Sequence, residues 1–141
     1  MMFANAGRDE LRRRYVNAWQ RHRDGLPLAP LDAQIADVIA LHPEYHAFLE
    51  DPDAANQSFA VEHGRSNPFL HMGLHLAIRE QVGTRRPAGI DALHQRLAQR
   101  IGDVHEAEHR MIEVLAETLW ESQRAGMAPD EQRYLERLHK I

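Results

Sequence analysis

The chain has 141 residues, of which 43% are hydrophobic and 27% are charged, and its formal net charge is −4 with histidine neutral. These values predict a single folded domain over 1–141 and argue against nucleic acid or an anionic membrane as a partner, because no bulk positive field would attract either. The absence of cysteine excludes disulfides, iron–sulfur clusters and cysteine-type zinc sites. Since neither a signal-peptide pattern nor an apolar run of about 18 residues is present, we expect a cytoplasmic protein.

The first two predicted helices lie at about 8–24 and about 31–50. Apolar residues at helical spacing define the first helix, and Gly25 ends it. The second helix contains Pro43, which removes a backbone donor and clashes with the preceding turn. A kink or a restart at His42 is therefore expected.

A loop rich in Asp, Asn, Gly and Pro is predicted over about 51–66, and a third helix over about 67–82. Asn67 is suited to be the N-cap of this helix, and Pro68 suits its first helical position. The segment is apolar nearly all round, which is typical of a central, buried helix.

A fourth helical segment is predicted over about 89–125, with a bend at Gly102 and an end at Gly126. A short helix over about 129–140 follows. No stretch shows the period-two alternation that indicates strands. The predicted fold is therefore all-α, a helical bundle of about four core helices plus a short C-terminal helix.

Histidine is the unusual component of this sequence, because six of the ten histidines form three His-x-x-x-His pairs, whereas a random order would give roughly 0.6 such pairs. The pairs are His42/His46, His71/His75 and His105/His109. A spacing of four puts both rings on one helical face, and each pair falls within an apolar stripe. Burying a neutral imidazole without a partner costs roughly 1–3 kcal/mol, so these histidines should form either a polar network or a metal site.

Three glutamates are candidate carboxylate ligands for such a site. Glu113 lies one turn after His109, and Glu108 falls inside the apolar arc of the same helix. Glu62 precedes the N-cap of the third helix and could reach a site near its start. Glu80 points about 180° away from His71 and is rejected.

Four segments, HPEYH, NPFLHMGLHLAIREQ, HEAEHRM and AETLWESQRAGMAPD, resemble a family of small bacterial proteins catalogued only as a domain of unknown function. The resemblance covers about 12–138 and implies a helical domain without an established activity. The spacing of the later two histidine pairs, together with His109-x-x-x-Glu113, also resembles hemerythrin-like di-iron bundles. That second resemblance implies two irons held by histidines and bridging carboxylates, although the ligand order along this chain departs from the hemerythrin pattern.

Six imidazoles exceed the four ligands of a tetrahedral zinc ion, so we predict a dinuclear centre with two ions per chain. Iron is the first choice, with zinc or manganese as alternatives, and copper is less favoured. Glu113 or Glu62 would bridge the ions. The predicted function is binding or activation of a small molecule such as dioxygen, nitric oxide or peroxide, in an oxidase, oxygenase or sensor.

Two other classes of function stay open at this point. One is a transferase or hydrolase with a mononuclear, zinc-type histidine site, and the other is a metal-free structural or interaction protein. Haem would use only one or two histidines, and no motif indicates a nucleophile–base triad. A homodimer would suit a bundle of this size, although no long heptad stripe predicts one.

Overall fold

A computed structural model describes residues 2–57 and 67–141 of the chain. Within these ranges the secondary structure is helical and contains no strand, which confirms the all-α prediction. The chain forms two compact units, Met1–Gly73 and Leu74–Ile141, and a single domain over 1–141 stays a prediction. None of the helices in the described ranges has the length and apolar character that a membrane span requires.

The first unit is built on a long helix, α1, against which α2 packs. Tyr15, Ala18 and Trp19 of α1 are buried, as are Ile35 and Ile39 of α2. The elements of this unit are α1 (Met2–Arg23), α2 (Pro30–Ala40), a 3-10 turn (Pro43–Tyr45), α3 (His46–Leu49) and a second 3-10 turn (Ala54–Asn56). A further helix, α4 (Pro68–Thr84), begins in the first unit and ends in the second.

The predicted second helix is interrupted where Pro43 lies. Helix α2 ends at Ala40, and His42 has a non-helical backbone with φ −125° and ψ 70°. This conformation follows from the steric restriction that proline imposes on the residue before it. The expected restart at His42 is thereby confirmed, with the consequence that His42 and His46 do not share a continuous helix.

The second unit contains the rest of α4 and three further helices, α5 (Ile90–Ile101), α6 (Val104–Ala125) and α7 (Glu131–His139). The bend expected at Gly102 is a complete break, because Gly102 has φ +82° and ends α5. Gly126, with φ +66°, ends α6 as predicted. Both glycines adopt the left-handed conformation that commonly terminates helices.

Aliphatic side chains of α4, α5 and α6 form the core of the second unit, and α7 covers it. Ile78 of α4, Ile90 of α5 and Met111 of α6 are fully buried. Tyr134 of α7 donates a hydrogen bond to Gln81 Oε1 at 2.7 Å. This core fixes α4 and α6 as neighbours, and these two helices carry the histidines described next.

Candidate metal centre

Three of the predicted histidines meet inside the second unit, namely His75 of α4 with His105 and His109 of α6. Each offers a ring nitrogen, and these nitrogens lie within 4.8 Å of one another. The ring centroids are 5.1 Å apart for His75 and His105, and 4.2 Å apart for His105 and His109. His75 is fully buried, whereas the other two rings are half-buried. We call these three residues the histidine triad.

The start of α6 positions two members of the triad. Asp103 is the N-cap, and its Oδ1 accepts hydrogen bonds from the backbone N–H of His105 at 2.9 Å and of Glu106 at 3.2 Å. His105 therefore lies in the first turn, and His109 follows one turn later on the same face. Helix α4 begins in a comparable way, since Asn67 Oδ1 accepts from the N–H of Phe69 at 3.0 Å.

A buried carboxylate holds the ring of His75. Glu108 is only 3% exposed, and its Oε1 accepts a hydrogen bond from His75 Nδ1 at 2.5 Å. Because an ionised carboxylate can only accept, the proton of a neutral His75 is on Nδ1 and its lone pair is on Nε2. Arg79, one turn after His75, donates through Nε to both Glu108 oxygens, at 3.1 and 3.3 Å.

The surroundings of the triad favour an ionised Glu108 and a neutral His109. Burial acts to raise the pKa of Glu108, but the hydrogen bond from His75 and the positive charge of Arg79 outweigh it, so the pKa is lowered. The pKa of His109 is also lowered, first by burial and then by the neighbouring His105 and His75. Neutral imidazole is the form that binds metal ions.

The first unit holds the remaining paired histidines in a different arrangement. His42 is buried, and its Nδ1 donates to the Val38 carbonyl at 2.7 Å. Its ring and that of His71 form a T-shaped contact with centroids 5.0 Å apart. His46 instead donates through Nε2 to the Ile39 carbonyl at 2.8 Å and packs on Trp19, with centroids 4.4 Å apart. That all six paired histidines belong to one centre stays a prediction.

The predicted carboxylate ligands fall in three different places. Glu108 is buried at the triad, but its Oε1 is occupied by His75 and Arg79. Glu113 is exposed on α6 and does not join the group of nitrogen atoms. Glu62 lies outside the described residues.

Sequence reasoning missed Arg79 as a member of this site. The signal that could have found it is its position four residues after His75, on the same face of α4. A search of that face for charged as well as apolar residues would have suggested an ion pair between Arg79 and Glu108, the acid inside the apolar arc of α6.

Comparison with known proteins identifies the family. The family model described as Domain of unknown function (DUF1841) matches residues 7–140, nearly the whole chain. Neither a search of curated proteins nor a search of solved structures produced a significant match. The chain belongs to the DUF1841 family, which confirms the membership in a family of unknown function that the four sequence segments predicted.

Proposed function

We propose that this protein binds a transition-metal ion through His75, His105 and His109. The observation that supports this proposal is the convergence of three ring nitrogens within 4.8 Å. Two nitrogens bound to one tetrahedral zinc ion at about 2.1 Å would be about 3.4 Å apart. Small rotations of the side chains would close the difference, so the triad is close to the geometry that one ion requires.

The hydrogen bond between Glu108 and His75 supports the same proposal. A histidine that binds metal commonly donates its other ring N–H to a carboxylate, which fixes the tautomer and the orientation of the ring. Glu108 does this for His75, and Arg79 holds Glu108 in turn. In this proposal Glu108 orients a ligand and is not itself one, because its Oε1 already accepts two hydrogen bonds.

Three protein ligands would leave a coordination position open. Structural zinc sites use four protein ligands, whereas catalytic sites use three and bind water or substrate in the remaining position. Imidazole ligation suits zinc and iron(II). We therefore propose a mononuclear centre that binds or activates a small molecule, of the zinc type or with iron(II) in its place.

A dinuclear centre is the second candidate, and one observation favours it. The first unit contains a further pair of imidazoles, His42 and His71, whose ring centroids are 5.0 Å apart. This candidate requires more ligands than the triad provides, and Glu108, the carboxylate that is hydrogen-bonded to the triad, already accepts from His75 and Arg79. The mononuclear proposal is therefore preferred.

Elemental analysis of untagged protein purified without chelator tests the proposal, together with a visible spectrum of the same sample. We expect about one zinc or iron per chain, lost in the double variant His105→Ala/His109→Ala. The control is His22→Ala/His139→Ala, which changes two histidines outside the triad and should retain the metal.

Each alternative outcome has a definite meaning. Two irons per chain with a near-ultraviolet charge-transfer band, one of them lost in His42→Ala/His71→Ala, would support the dinuclear candidate. Full metal content in the triad variant would contradict the proposed site. Protein without metal, whose thermal unfolding is unmoved by added zinc or iron(II), would contradict metal binding altogether.

A further inference from the structure

A cavity of about 330 Å³ opens beside Glu108 in the second unit. Its volume is within the range of small-molecule sites, which is roughly 300–1,000 Å³. The residues that line it come from α4, α5 and α6, and they include Arg79, Glu108, His94, Ile78, Val82 and Val104. The cavity shares Glu108 with the candidate metal centre, and no residue of the triad lines it.

Arg79 is the charged group best placed to bind a ligand in this cavity. Its guanidinium is partly buried, and its Nε is held on Glu108. A guanidinium has five N–H donors on a rigid plane, and the hydrogen bonds to Glu108 use only the Nε–H. The two terminal amino groups form a second edge that can bind a carboxylate through two parallel hydrogen bonds.

The remaining lining suits a short apolar group. Ile78, Val82 and Val104 are aliphatic, and Val104 is a residue that remains 57% exposed. His94, half-buried on α5, adds one imidazole that can donate or accept a hydrogen bond. A ligand that satisfies both parts of the cavity has one anionic end and a small aliphatic body.

We propose that this cavity binds a small aliphatic monocarboxylate, with the carboxylate on the terminal amino groups of Arg79 and the aliphatic part against Val82 and Val104. Glu108 fixes the guanidinium before the ligand arrives, so little side-chain entropy is lost on binding. As a substrate class for the metal centre the inference rests on the proposed function, whereas binding in the cavity itself requires no metal.

Titration of butyrate into the metal-free full-length protein, followed by nuclear magnetic resonance, tests this inference. We expect saturable shifts in the signals of Val82, Val104 and His94, and at least tenfold weaker binding of butyramide, which has the same shape without the charge. Arg79→Gln should weaken butyrate binding at least tenfold. The control Arg110→Gln removes an exposed arginine of α6 that does not line the cavity, and should have no effect.

A second variant avoids dependence on the Arg79 ion pair. Val82→Trp fills the cavity and leaves the Arg79–Glu108 contact intact, so it should abolish butyrate binding without lowering the thermal transition by more than a few degrees. Equal affinity for butyrate and butyramide, or unchanged binding in Val82→Trp, would overturn the inference.

The two proposals fail separately. Butyrate binding to metal-free protein, together with an absence of metal in the purified protein, would support the proposed carboxylate site and contradict the proposed metal centre. Butyrate binding only after zinc is added would show coordination to the metal and overturn the role of Arg79.

Discussion

At the scale of single residues, Glu108 fixes the tautomer and the ring orientation of His75. It is a nearly inaccessible carboxylate with a lowered pKa, bound to His75 and Arg79. An ionised group in such a place costs several kcal/mol unless it is paired, and here both partners are donors. The charge of Arg79 and the N–H of His75 therefore explain why an acid occurs in the apolar arc of α6.

The variant Glu108→Gln tests this role. The amide has nearly the same shape but lacks the charge, so His75 loses a charge-assisted hydrogen bond and its ring is less firmly oriented. We expect metal affinity to fall about 10- to 100-fold, measured by calorimetric titration of zinc into metal-free protein. Glu117→Gln, at an exposed position of the same helix where the carboxylate pairs with Arg137 and not with the triad, is the matched control. Equal affinities for the two variants would contradict the orienting role.

At the scale of elements, the junction between α5 and α6 determines where His105 and His109 lie. Gly102 ends α5 in a left-handed conformation, and Asp103 caps α6 one residue later. Because of these two residues, the segment that was predicted as one bent helix forms two separate helices. The first turn of α6, and with it His105, is thereby fixed by local hydrogen bonds.

The cap is tested by Asp103→Ala. Loss of the acceptor for the N–H groups of His105 and Glu106 should lower the free energy of unfolding by about 1 kcal/mol, measured by urea denaturation. Because the first turn also carries a triad residue, metal affinity should fall as well. Asp103→Asn retains a capping oxygen and should restore most of both. A destabilised Asp103→Ala variant with unaltered metal affinity would show that the cap does not position His105.

The left-handed residue is tested by Gly102→Ala. Nothing lies within 4 Å of the position that a Cβ would occupy, so the expected loss of about 1–2 kcal/mol arises from the backbone conformation alone. Gly83→Ala is the matched control, since its Cβ would also be free of contacts but its backbone is helical. That control should be neutral or stabilising, because alanine has the higher helix propensity. Equal destabilisation by both changes would show that the left-handed backbone of Gly102 is not the cause of the lost stability.

At the scale of the whole molecule, each unit contains a buried tyrosine that resists ionisation. Burial raises the pKa of Tyr15 to about 12 in the first unit. Burial also raises the pKa of Tyr134 in the second unit. Stability at alkaline pH should therefore depend on both units.

The sign of this dependence follows from proton linkage. Between pH 10 and pH 12 the folded state keeps the Tyr15 proton while the unfolded chain loses it, so folding free energy is lost as the pH rises. The shift of the Tyr15 pKa corresponds to about 2–3 kcal/mol, fully present below pH 10. Urea denaturation at pH 9 and pH 11.5 should show this fall, and Tyr15→Phe should reduce it. An identical fall in the variant would contradict the assignment to Tyr15.

Much of this protein could be predicted from the sequence, because the signals are local. Asn67 and Pro68 mark the start of α4, Gly126 marks the end of α6, and Pro43 marks the break after α2, each through a restriction on its own backbone or that of its neighbour. Apolar periodicity placed Glu108 inside the buried arc of α6, and the structure confirms that it is buried. The spacing of four likewise put His105 and His109 on one face.

What only the tertiary structure decided is which side chains from different helices meet. The hydrogen bond of Glu108 to His75, its contact with Arg79, and the cavity that reaches His94 all join α4, α5 and α6. Helical periodicity determines the face on which a residue lies, but not its depth along the neighbouring helix or the residue opposite. The depth and the opposing residue depend on how the whole core packs. The sequence alone therefore established a histidine-rich helical protein. The tertiary structure identified the histidine triad and Glu108, the carboxylate that supports it.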